Sequence, residues 1–125
     1  MERIGNVGIT IPAGYDIAER TDNAISLYPD DKSYELNIDL LEDETDAKAF
    51  VYRWKHDANV AKESFRCGVG WRAVYGTMQR CCCLIGFNAK KGGVLCVELI
   101  AQSPTMALAA YRDARFAELV NGIML

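Results

Sequence analysis

Histidine is almost missing from this chain: His56 stands alone among 125 residues. Nucleophilic catalysis needs a nucleophile held by a base and a base oriented by a third group. His56 falls nearly opposite the apolar stripe of its predicted helix, a solvated position with no walls around it. Also missing is any C-x-x-C spacing, so with one histidine the five cysteines cannot complete a tetrahedral zinc set. The longest uncharged apolar run, Cys81–Phe87, falls far short of the roughly 20 residues of a membrane-spanning helix. Nowhere do lysines and arginines form the dense basic stripe that releases counterions from a phosphate backbone, which argues against nucleic acid. Gly68-Val69-Gly70 and Gly92-Gly93 do not open a helix after a strand, as a phosphate cradle must, and read as turns. The run Glu42-Asp43-Glu44-Thr45-Asp46 lacks EF-hand spacing, and its carboxylates suit a helix N-terminus. Other carboxylates cluster in loops and helix ends, where a lowered pKa suits them poorly to acid–base work. The expectation is therefore no catalytic residue, no cofactor and no metal. A strand pattern begins within a few residues of Met1, leaving no room for a signal peptide, so a cytoplasmic location is expected.

What is present alternates strongly. Val7, Ile9 and Ile11 alternate with Gly8 and Thr10 up to Pro12, Ala24–Tyr28 forms a second run, and Tyr34, Leu36, Ile38 and Leu40 alternate with Glu35, Asn37 and Asp39. Such alternation buries one face of a strand and wets the other. From Asp43 or Thr45 the period changes to three and four. Ala47, Phe50, Val51, Trp54, Ala58 and Ala61 share one helical stripe, predicting an amphipathic helix with Trp54 buried against the sheet. Three strand-like runs follow, Trp71–Gln79, Arg80–Phe87 and Val94–Ala101, the last two joined by the polar hairpin Asn88–Gly93. Ser103-Pro104 opens a closing helix with the stripe Phe116, Leu119, Val120 and Ile123. Arg112, Asp113 and Arg115 crowd that stripe a turn earlier, so Thr105–Tyr111 is expected to be a separate or kinked turn.

The pattern predicts an α+β fold, an antiparallel six-stranded sheet of order βββ-α-βββ-α flanked by helices. A chain of this length buries roughly two-thirds of its unfolded surface, enough for one self-sufficient domain over 1–125. Cys81–Ile85 and Val94–Ala101 are apolar on both parities, which predicts cover on both faces around Cys82, Leu84, Val97 and Leu99. That cover would come from a helix on each side or from a second copy of the chain. Glu98 interrupts the pattern and should be partly buried with a cationic partner, Arg72 or Arg80 being the nearest by topology. Cys67, Cys81, Cys82, Cys83 and Cys96 are odd in number and read as small buried apolar residues kept reduced. Within the triplet Cys81 and Cys83 share a face and Cys82 takes the other, and a redox-sensing thiol among the three is the minor alternative. Charge is uneven: residues 1–63 carry fourteen acidic and seven basic side chains, a net −7, and residues 64–125 a net +4.

Ile9-Thr10-Ile11-Pro12-Ala13-Gly14-Tyr15 resembles the opening of small PsbP/Mog-like domains, including DcrB-like bacterial proteins. Gly70-Trp71-Arg72-Ala73 is similar to their entry into the fourth strand, and Ser103-Pro104 with the stripe beyond it resembles their closing helix. The order of elements matches over nearly the whole chain. The resemblance implies an antiparallel sheet flanked by helices and used for binding: PsbP is an accessory subunit of photosystem II, Mog proteins bind the Ran GTPase, and related bacterial domains serve as chaperones for secreted effectors. It supplies no catalytic residue. The expected function is a non-enzymatic binding, adaptor or chaperone-like domain with a protein partner, a homodimer being one form. The alternatives are a cysteine-based redox sensor or small enzyme using Cys81, Cys82 or Cys83, and a carrier of a small apolar ligand held between helix and sheet.

Overall fold

A computed structural model of the chain describes residues 1–54, 59–76 and 81–125. His56, Ala58 and Arg80 lie outside the described residues. The elements run β1 (Glu2–Ile4), β2 (Val7–Ile9), β3 (Tyr15–Arg20), β4 (Ala24–Pro29), β5 (Glu35–Leu41), α1 (Ala47–Trp54), β6 (Val60–Phe65), β7 (Gly68–Gly76), β8 (Cys81–Asn88), β9 (Val94–Ala101), α2 (Pro104–Tyr111), α3 (Ala114–Asn121) and β10 (Ile123–Met124). The main sheet is antiparallel throughout, in the order β3-β4-β5-β9-β8-β7-β6, and a small sheet joins β1-β2-β10.

The α+β class and the antiparallel sheet stand as expected, with seven strands in place of six. The extra strands are those with the weakest alternation. On β3 every residue after Tyr15 is exposed, because an edge strand has no second layer to demand a period of two. The stretch from Val60 to Phe65 is a strand, so the helix, described over Ala47–Trp54, does not reach Ala61 as expected. Ala61 continued the helical stripe by coincidence of spacing and instead sits opposite Arg72 on β7. Residues 104–111 form a separate short helix, as the charged crowding around Arg112 predicted. Ser103 accepts from the Met106 N–H to cap α2, and Asp113 accepts from the Arg115 N–H to cap α3.

Each face of the sheet has its own core. The inner face presents Leu36, Ile38, Ile85, Phe87, Val97 and Leu99 to α2, α3 and the small sheet. The outer face presents Ala73, Leu84 and Cys96 to Val51 of α1. Gly86 lets α1 sit down closely, since a Cβ there would come 2.8 Å from Val51 Cγ2. Trp54 is half-buried at the helix end, its ring edge-on to Tyr75 with centroids 6.2 Å apart. Ala47 and Val51 fill the inner positions expected of the tryptophan. Cys82, Leu84, Val97 and Leu99 are all buried, Leu84 in the core under α1 and Val97 and Leu99 in the inner core. The cover that motivated a second copy is thus supplied from within.

Candidate functional site

Glu98 and Arg72 face opposite sides of the sheet. Register places Glu98 in the row Ala73–Leu84–Glu98–Asn37, whereas Arg72 stands in the row Arg72–Ile85–Val97–Ile38. A period of two sends adjacent rows to opposite faces, so the expected Glu98–Arg72 pair cannot form. Glu98 is half-buried and accepts from Asn37 Nδ2 at 3.5 Å. Arg72 is paired on the inner face with Glu63 of β6 at 3.0 Å, and Tyr111 of α2 donates its hydroxyl to the same carboxylate. Burial first, and then this bond, push the Tyr111 phenol well above its usual range.

None of the five cysteines forms a disulfide. Burial raises the Cys81 and Cys83 thiols, Cys83 to about 12 despite the opposing pull of Arg72. At neutral pH such thiols are protonated and poor nucleophiles, which weighs against the redox alternative for these two. Among the described residues, no three His, Cys, Asp or Glu side chains converge as metal ligands.

A different feature gathers the acidic excess of the first half. α1 packs over β7 and β8 and shares its core with Cys96 of β9 and Leu41 of β5, and the outer face of β3, β4 and the rest of β5 lies beyond it. Its rows read Glu19–Ser26–Asn37–Glu98 and Ala24–Asp39–Cys96, with the pairs Asp16–Tyr28 and Glu35–Ile100 toward one end. Two hydrogen bonds order the middle row, Ser26 Oγ to Asn37 Oδ1 at 2.7 Å and Asn37 Nδ2 to Glu98. Among the described residues, no salt bridge engages Asp16, Glu19, Glu35, Asp39 or Glu98; the ion pairs lie elsewhere. Lys32 stands at the margin, its ammonium 5.5 Å from the Tyr28 ring centre. Asp39 is half-buried, and burial raises its carboxyl above the usual range. A partly desolvated carboxylate without a cation is unfavourable in the free molecule and gains most when a cation arrives.

The architecture has a counterpart of known structure. The 1.9 Å crystal structure of the Saccharomyces cerevisiae Ran-binding protein Mog1p superposes with a TM-score of 0.62, covering 94% of this chain and 88% of that one at 10% identity. The chain has the PsbP/Mog-like fold. At that identity the likeness is one of fold, and the Mog-like frame states nothing about which residues bind. Comparison by sequence finds no matching family and no matching curated protein.

Within the Mog-like frame, sequence reasoning missed the acidic row as a unit. The alternation Glu35, Asn37, Asp39 marked a wet strand face, but nothing local placed Glu98 beside Asn37. Glu63 was likewise hidden by the assignment of its segment to a helix.

Proposed function

We propose that the protein is a non-enzymatic binding domain that docks a basic protein surface on the outer face of β3, β4, β5 and β9. The observation that carries this reading is the set of carboxylates Asp16, Glu19, Glu35, Asp39 and Glu98, exposed or half-buried on one sheet face without salt-bridge partners among the described residues. Such a surface repels nucleic-acid phosphates and anionic lipid headgroups and steers a cationic partner. Tyr28 and Ser26 give it the mixed aromatic and polar character of protein interfaces. A fold shared with a Ran-binding protein is consistent with a protein-binding role.

Immobilised wild-type protein and the variant Glu35→Lys/Asp39→Lys are exposed to extract of the source cells at low salt and eluted with rising salt. The wild type is expected to retain basic proteins that leave as salt screens the contact, and the variant to release them at least tenfold more readily. Equal retention by both would overturn the reading.

A further inference from the structure

On the inner face, away from the acidic rows, α2 meets the sheet through small side chains. Ala107 and Ala110 are its buried residues, and below it β8 offers Cys81 and Cys83. α2 packs mainly on β9 and β8 and reaches β7 through Tyr111, which stands over Arg72. Interiors are otherwise packed to near-crystalline density, and small residues facing one another across two layers leave a void. A cavity of about 290 Å³ results, open on one side, with Cys81, Cys83, Ala107 and Pro104 along it. Val74 and Leu108 form its rim and are 54% and 51% exposed, well beyond what their side chains favour. An apolar lining of this kind favours apolar guests, and the size is at the lower end of small-molecule sites.

One end of the cavity is polar. Arg72 and Tyr111 line it, and both are bonded to Glu63 through Oε2, with the Arg72 guanidinium carbon 5.0 Å from the Tyr111 ring centre. The cluster is half-exposed and close to neutral overall, because the guanidinium and carboxylate balance. Among the described residues the bonds to Glu63 run through Oε2, which leaves Oε1 as an acceptor beside the guanidinium donors of Arg72. A carboxylate head would meet Glu63 there, and an ammonium head would meet Arg72. A hydroxyl or amide satisfies both without an unpaired charge.

We propose that the cavity between α2 and strands β7 and β8 binds a small uncharged amphiphile, an apolar body of medium-chain length with a hydroxyl or amide head bonded at Arg72 and Glu63. The site is separate from the acidic face and takes a different class of ligand. The alkyl body lies over Cys81, Cys83 and Ala107, and Val74 and Leu108 close over its flank.

The test uses the neutral fluorophore N-phenyl-naphthylamine with the whole chain, displaced by decanol, decanamide, decanoate and decylamine at neutral pH. Expected are a single saturable site, displacement by decanol and decanamide, and at least about tenfold weaker displacement by decanoate and decylamine. Ala107→Leu, which fills the cavity from the helix side, should abolish binding. Leu108→Ser, at the exposed rim, should keep the fold and weaken binding several-fold, so a misfolded Ala107→Leu leaves the test intact. Glu35→Lys/Asp39→Lys should bind the fluorophore as the wild type does, which separates this site from the acidic face. The inference is overturned by the absence of saturable binding, by unchanged binding in a folded Ala107→Leu, or by displacement that ignores the head group's charge. Binding that rises only with self-association, as sedimentation would reveal, assigns the groove to a second copy of the chain and equally overturns it.

Discussion

Asp39 shows in one residue how stability and binding diverge. Burial raises its carboxyl in the folded protein, so the ionised form is disfavoured there relative to the unfolded chain. The sign follows from linkage: an acid with a raised folded pKa lowers stability once pH exceeds the unfolded value near 3.9, and the penalty disappears below it. Asp39→Asn should therefore raise the thermal midpoint at pH 7 and lose that advantage near pH 3, as calorimetry across the range would measure. The same variant should weaken retention of basic partners; a midpoint that falls at pH 7 would contradict the assignment. Gly86 makes the complementary point about space. A Cβ there lies 2.8 Å from Val51 Cγ2, and valine is stiff at χ1 in a helix, so the helix itself must shift. Gly86→Ala should cost about 1–3 kcal/mol in denaturant unfolding. Most of the loss should be recovered against a Val51→Ala background, because the two substitutions share one contact.

Among the elements, the closing helices depend most on a single junction. Asp113 caps α3 through the Arg115 N–H at 2.9 Å, pairs with the Arg115 guanidinium at 2.8 Å, and accepts from Tyr34 at 3.2 Å. Tyr34 in turn meets Tyr15 at 2.6 Å, tying α3 to the start of β3. The Arg115 side chain is the largest influence holding the Asp113 carboxyl below its ordinary value. A depressed folded pKa contributes stability that is present above the unfolded value near 3.9 and is lost as pH falls through the folded one. Asp113→Ala should cost about 1–2 kcal/mol at pH 7, the range for a lost helix cap. Its stability should also fall less steeply than the wild type's below pH 4. A parallel acid profile in the two proteins would show that the junction is not coupled to folding.

Over the whole molecule, two cores share one sheet, and cysteine reactivity reports on both. Cys81 and Cys83 belong to the inner core and Cys96 to the outer, whereas Cys67 is half-exposed. Alkylation of the native protein at pH 7.5, followed by mass spectrometry, should label Cys67 first and Cys96, buried under α1, at the rate of unfolding. Rapid native labelling of Cys82 or Cys83 would restore the redox alternative. The asymmetry of charge along the chain also resolves at this scale. The first half forms β3, β4 and β5, which lie together at one side of the sheet and carry Asp16, Glu19, Glu35 and Asp39, and the second half supplies β7, β8, β9 and the helices that close the inner core.

Most of the local grammar was legible in the residues. The alternation along β5, the doubly apolar runs of β8 and β9, the Ser103-Pro104 start and the break near Arg112 follow from short-range sterics, capping and the side-chain period, all contained within a few neighbouring residues. They sufficed for the α+β class, the antiparallel sheet and a buried middle. What the chain could not announce was who stands beside whom. Asn37 and Glu98 are 61 residues apart and share a row only because β5 pairs with β9 in one register. Arg72 turned away from Glu98 because a single step of register reverses a strand's faces. The stretch from Val60 to Phe65 became a strand because β7 offered an open edge to pair with, a choice made by tertiary contact over a spacing that suited a helix equally well. The acidic face and the cavity under α2 both arise from such long-range neighbours, since each is built from side chains that only the packed sheet brings together.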